Sequence, residues 1–142
     1  MAETIELEII TSREVVLRAE IQDLYIPAFL GEAGVLSHHL PYITLLAGGE
    51  ISYLDLEGKR HFLYCSEGFL EVRDDRLALI IDDFERGEDL REEELHRRLR
   101  ETEARIQSSF KGAITPDELQ AELARQRELH LKLAICRKMK GK

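Results

Sequence analysis

The residues of this 142-residue chain whose chemistry suits catalysis or metal binding are few and scattered. His38 and His39 are adjacent, so a strand would point them to opposite faces, and no third ligand lies near them in the sequence. Asp82 and Asp83 offer the paired carboxylates of an acid/base step, but they follow an apolar run, where a strand-ending turn is the expectation. Ser37 and Ser66 lack a G-x-S-x-G context, and no glycine-rich phosphate loop of Walker or dinucleotide type occurs. Cys65 and Cys136 each lack a second Cys or a His at ligand spacing, which argues against a disulfide framework or zinc site and fits a reducing compartment. The expectation is a protein without catalytic residues, metal or cofactor, whose work is binding.

Two segments carry binding chemistry. The first runs from Pro27 to Pro41, with glycines at 31 and 34 and an apolar Phe29-Leu30 tip, and reads as a structured binding loop. The second is the end of the chain. The net charge is −8, yet Met1 to Gly87 holds 17 acids against 7 bases, while Glu88 to Lys142 holds 11 against 13. In the last 18 residues Arg125, Arg127, Lys132, Arg137, Lys138, Lys140 and Lys142 face one acid, Glu128. Such a tail suits an acidic partner surface or, equally on composition, a solvated helix face. Nucleic acid is disfavoured, because the acidic remainder repels phosphate and no aromatic residue is interleaved for stacking.

Up to about residue 84 the elements that must position these segments are strands. Ile5 to Ile9 alternates with period two, Val15 to Ile21 is β-branched and apolar, and Asp23 to Pro27 ends at a residue that donates no ladder hydrogen bond. Ile51–Leu56 and Arg60–Cys65 flank Glu57-Gly58-Lys59, and Phe69–Val72 and Arg76–Ile81 flank Asp74-Asp75, two hairpin signals. This spacing predicts an antiparallel β-sandwich or flattened barrel over 1–87.

From residue 88 the period changes to that of a two-helix antiparallel hairpin, 88–142. Asp89 and Glu92 read as a capping box, followed by an apolar stripe through Leu95, Leu99, Thr102, Ile106 and Phe110. Thr115, Pro116 and Glu118 specify a second helix start, and that helix is expected to run to about Lys138. Its inward line is read as Leu119, Leu123, Gln126, His130 and Leu133, a partly polar seam that suits either an ordinary hairpin edge or a helix able to leave its partner. No apolar run approaches the ~20 residues that span a bilayer, and no signal pattern opens the chain, so a soluble, cytosolic protein is expected.

The loop now becomes specific. Gly31, Glu32, Gly34, Val35, Leu36, His39 and Pro41 stand in register with the G-E-x-G-[VI]-L-P-x-H-x-P signature, and the stretch resembles that of the epsilon subunit of bacterial F-type ATP synthase. Thr44-Leu45 with the following glycines and Ile51, and Ser66 to Val72, resemble the family's next two motifs, so the resemblance covers essentially the whole chain. It implies a non-catalytic rotor subunit at the cytoplasmic face of the bacterial plasma membrane, associated with the membrane only through the complex. The sandwich would bind the gamma subunit and the c-ring through Phe29, Leu30, Glu32 and His39, in a turn shaped by Gly31, Gly34 and Pro41. The hairpin would inhibit ATP hydrolysis by reaching the alpha/beta hexamer, with Arg125, Arg127, Lys132, Arg137 and Lys138 as its inhibitory tail. Ser37, His38 and Glu67 depart from the family's usual residues, and Arg91 and Glu94 replace the Asp and Arg of its L-D-x-x-R-A nucleotide motif. Two other readings remain: a nucleotide-sensing module, which the glutamates of 92–94 oppose by like charge, and a sandwich with a helical dimerisation arm.

Overall fold

The computed structural model describes residues 4–28, 31–36, 41–112 and 114–141. The chain divides into two compact units, Met1–Gly87 and Glu88–Lys142. In the first, nine strands are found among the described residues: β1 Ile5–Ile10, β2 Val15–Ala28, β3 Gly31–Leu36, β4 Tyr42–Leu46, β5 Gly49–Asp55, β6 Arg60–Cys65, β7 Gly68–Arg73, β8 Arg76–Ile81 and β9 Phe84–Arg86. Their order is β1-β8-β7-β4-β2-β5-β6-β9, with β3 on β2 and a further β1–β2 pairing that closes one part of the sheet on itself. Pairing is antiparallel except between β1 and β8, which run parallel.

The two strands expected over 15–21 and 23–27 are one. β2 pairs first with β1 and then with β3 and β5, and a bulge between Ile21 and Asp23 separates the two halves. The reason is phase. Leu17 and Ile21 are buried on one parity and Leu24 and Ile26 on the other, so one extra residue at Gln22 turns both halves toward the same core. Gln22 then stitches the bulge by donating from Nε2 to the Asp55 carbonyl at 2.8 Å. Around this strand Ile5, Leu7, Ile9, Leu70, Leu77, Leu79, Ile51 and Leu63 complete the core.

The turns follow local chemistry. Asp74 and Asp75 both take positive φ, 48° and 58°, as a two-residue turn of right-twisted strands demands. Ser66 Oγ accepts from the backbone N–H of Asp82 and of Asp83, at 3.1 and 2.9 Å, so these aspartates form a turn and not an acid/base pair. Gly68 lies beneath the neighbouring strand, where a Cβ would fall 2.1 Å from the Ile80 carbonyl oxygen. At the β5–β6 turn Asp55 accepts from the N–H groups of Glu57 and Lys59, each at 2.9 Å, and its Oδ2 lies 2.8 Å from His61 Nε2. The His61 hydrogen bond, then those from the backbone, hold this carboxyl below its usual value. A depressed carboxyl stabilises the fold above the ordinary carboxylate pKa, and the gain is lost as pH falls through the lower folded value. Asp55→Asn is therefore expected to lower Tm at pH 7, with the gap to the parent closing as pH falls below about 4. Thermal melts from pH 7 to 2.5 check this, and a gap that stays constant throughout would show that the charge plays no part.

The second unit contains α1, Glu92–Ser109, and α2, Pro116–Lys140. The capping box expected at Asp89 is absent. Gly87–Asp89 forms a 3-10 turn, and α1 starts after Arg91, which caps it by no side-chain bond. Glu92, Glu93 and Glu94 complement the helix dipole instead, while Leu90 packs on the apolar cluster formed with α2. Thr115 does cap α2, its hydroxyl accepting from Glu118 N–H at 3.2 Å ahead of Pro116.

Candidate interaction surfaces

The described residues of the 27–41 loop are strand apart from Pro41. β3 pairs antiparallel with β2, Gly31 opposite Ala28, Glu32 opposite Pro27 and Gly34 opposite Tyr25. Phe29, Leu30 and His39 lie outside the described residues, and of Glu32 the backbone pairing alone is described. Gly31 pairs with Ala28 on either side of the Phe29-Leu30 tip, and Gly34 lies within β3. At Gly34 the requirement is close approach, because a Cβ would stand 2.9 Å from Cε1 of Tyr25. The Tyr25 ring in turn carries the Arg60 guanidinium 5.4 Å from its centroid. Arg60 donates to both oxygens of Asp23, at 3.0 and 2.8 Å, and to Ser52 Oγ at 3.2 Å. The glycine thus lets β3 pack under an ordered cation–π and ion-pair assembly. Pro41 is exposed immediately before β4.

The second surface was not anticipated. Leu45 pairs with Phe69, and Phe69 with Ile80, so that one row crosses β4, β7 and β8. These three side chains are 49%, 49% and 46% exposed, and Ile43, two residues along β4, is 67% exposed. Leu45, Phe69 and Ile80 border a groove of about 470 Å³ that Thr11, Ser12 and Asp82 also line. Farther along the same strands the surface becomes charged, with Glu71, Arg73, Arg76, Glu6 and Glu8 around a second depression of about 660 Å³. Its ion pairs, Arg18–Glu8 at 2.8 Å, Arg76–Glu6 at 3.7 Å and Arg73–Glu71 at 4.0 Å, are exposed and individually weak. Contiguous apolar side chains with a charged border are the anatomy of a protein-binding surface.

The third surface is on the hairpin. Leu95, Leu99, Leu129, Leu133 and Cys136 form its apolar cluster. The inward line of α2 is therefore Leu119, Glu122, Gln126, Leu129, Leu133 and Cys136, and not the line through Leu123 and His130, both of which are exposed. Leu123 fails because the true steps are 3, 4, 3, 4 and 3, and the second place is taken by a glutamate. Phe110, read as the end of the α1 stripe, is 82% exposed beyond the helix. At the open end Lys140 pairs with Glu92, and this bond holds Glu92 below and Lys140 above their usual values. Of the basic residues, Arg127, Arg137 and Lys138 are exposed. Arg125 is held by Glu122 at 2.6 Å, and Lys132, 4% exposed, pairs with Glu128 at 3.0 Å, so Lys132 is withdrawn from the basic face. The acids of α2 lie away from the stripe through Leu123, Arg127, His130 and Arg137, an exposed acid-free stripe along one flank of the inward line.

Reactive groups are not prominent. Both cysteines are free and buried, and burial pushes the Cys65 thiol up to about 12. Among the described residues no three His, Cys, Asp or Glu side chains come together as metal ligands, and no helix is long and apolar enough to cross a membrane.

Residues 4–87 match the family described as ATP synthase, Delta/Epsilon chain, beta-sandwich domain. The chain is 34% identical over 130 residues to an ATP synthase epsilon chain of Nitratidesulfovibrio vulgaris, covering 89% of this chain and 96% of that one. It is 40% identical over 90 residues to an ATP synthase epsilon chain of Desulfosudis oleivorans, covering 63% and 68%. Among solved structures, a chain of the Euglena gracilis mitochondrial ATP synthase, in an OSCP/F1/c-ring assembly, superposes with a TM-score of 0.68 at 25% identity, covering 97% of this chain and 80% of that one.

Proposed function

The chain belongs to the epsilon-chain family of F-type ATP synthases, a component of the central stalk of that rotary complex, and from this premise we propose that its sandwich is the rotor anchor and its hairpin a brake. The observation that carries the anchoring role is the row of Leu45, Phe69 and Ile80 with Ile43 beside it, four large apolar side chains exposed on one face of the unit. The gamma subunit is the proposed partner of this face. The β2–β3 hairpin, with Phe29, Leu30, Glu32 and His39, is assigned to the c-ring. The protein itself catalyses nothing in this reading and supports ATP synthesis by joining rotor parts at the cytoplasmic face of the membrane.

The braking role is supported by the exposed acid-free stripe of α2 with Arg127 and Arg137, which suits an acidic surface of the alpha/beta hexamer, and by the partly polar seam between α2 and α1. Co-expression with a gamma subunit tests the anchoring role. The expected result is a stoichiometric complex through affinity and size-exclusion steps, and recovery of the chain free of gamma at micromolar concentration would refute it.

A further inference from the structure

The hairpin seam has two unlike halves. Toward the open ends the helices meet through Leu90, Leu95, Leu99, Leu129, Leu133 and Cys136. Toward the connecting loop they meet through Thr102 of α1 and Glu122 of α2, which are 0% and 9% exposed. Glu122 Oε1 accepts from Arg105 Nε at 2.9 Å and from Arg125 at 2.6 Å. Its Oε2 and the Thr102 hydroxyl are buried without any hydrogen-bond partner. A half-satisfied buried network is less favourable than an apolar seam, and opening the helices would give both oxygens to water.

We propose that Thr102 and Glu122 form a built-in opening element, which biases the closed hairpin toward release of α2 once the apolar half has parted. The placement matters. The covalent link lies beside the polar half, so separation must begin at the open end, where the Leu cluster and the Glu92–Lys140 pair resist it. Beyond that point the Arg105–Glu122 pair ties the polar half, and its loss is offset by the hydration that the Thr102 hydroxyl and Glu122 Oε2 gain, so release goes to completion. The link to inhibition rests on the braking role above, whereas the opening itself is a property of the chain.

Cys136, buried against α1, reports opening through its labelling by a thiol reagent, and Cys65, in the sandwich core, serves as the internal control. Thr102→Val removes the orphan hydroxyl at constant shape and is expected to slow Cys136 labelling about tenfold in the full chain, with Cys65 unaffected. Glu122→Leu is expected to slow it in the same sense, because Arg105 and Arg125 are about half exposed and keep their hydration. Labelling of Cys136 that is unchanged or faster in the Thr102→Val chain, with Cys65 labelling at the parent rate, overturns the proposal. Slower labelling in both variants with unchanged ATP hydrolysis by the assembled complex supports the opening element and removes the braking role.

Discussion

Leu45→Glu combined with Phe69→Glu is expected to abolish attachment of the chain to the rotor while leaving the sandwich folded. Both side chains are about half exposed, so their replacement removes little from the core, and the shift in unfolding free energy is expected to stay within about 0.5 kcal/mol per site. In the complex the same side chains would be buried. Each then contributes ~1.5–3 kcal/mol, and a carboxylate in its place adds a desolvation cost. A loss of affinity for gamma of at least about a thousandfold follows, since each ~1.4 kcal/mol is a factor of ten. Leu56→Glu is the matched control, because Leu56 is equally exposed, at the β5–β6 turn, outside the row. Titration of gamma against the three chains by calorimetry or interferometry decides the matter. Unaltered binding by the double variant would take the anchoring role away from this face.

That face was legible in the sequence without being read. Leu45-Leu46, Phe69-Leu70 and Leu77-Ala78-Leu79-Ile80-Ile81 are apolar at positions where a half-solvated strand alternates with polar residues. Unbroken runs on neighbouring strands signal a sheet covered on both sides, and Leu46, Leu70, Leu77, Leu79 and Ile81 are the half that the core explains. The hairpins were legible because their turn residues act locally: Gly58 and the Asp74-Asp75 pair take positive φ irrespective of what packs above them. β3 was not, since Gly34, which reads as a turn glycine in sequence, here serves a close approach set by Tyr25 on the paired strand. The α2 register was hidden for a related reason. Periodicity assigns inward places to apolar residues, whereas Glu122 holds one through its partners Arg105 and Arg125, and the first of these lies on the other helix.

Removal of Thr115–Lys142 is expected to raise ATP hydrolysis by the assembled complex severalfold without loss of subunits. The sandwich keeps its core, which Met1–Gly87 supplies by itself, and keeps its outward apolar row. What is lost is α2 with its basic face. Deleting α2 alone leaves Leu95 and Leu99 of α1 without their partners Leu129 and Leu133, so a chain ending at Gly87 is the cleaner comparison, and both truncations are expected to behave alike. The charges refine the expectation. Arg127, Arg137 and Lys138 are exposed, and their joint replacement by Ala should release part of the inhibition. The release should be larger at 50 mM than at 500 mM salt, because exposed charges are screened over about 10 Å at 0.1 M. Lys132→Ala should contribute nothing electrostatic, since this amine is withdrawn from solvent against Glu128. Arg125→Ala should differ in kind, because it removes one of the two donors on Glu122 and so acts on the opening of the hairpin as well as on docking. Hydrolysis measured across this series, at matched subunit content, separates docking by charge from release by the seam. Equal rates for the parent complex and both truncations would leave the hairpin a structural element and the brake without a basis.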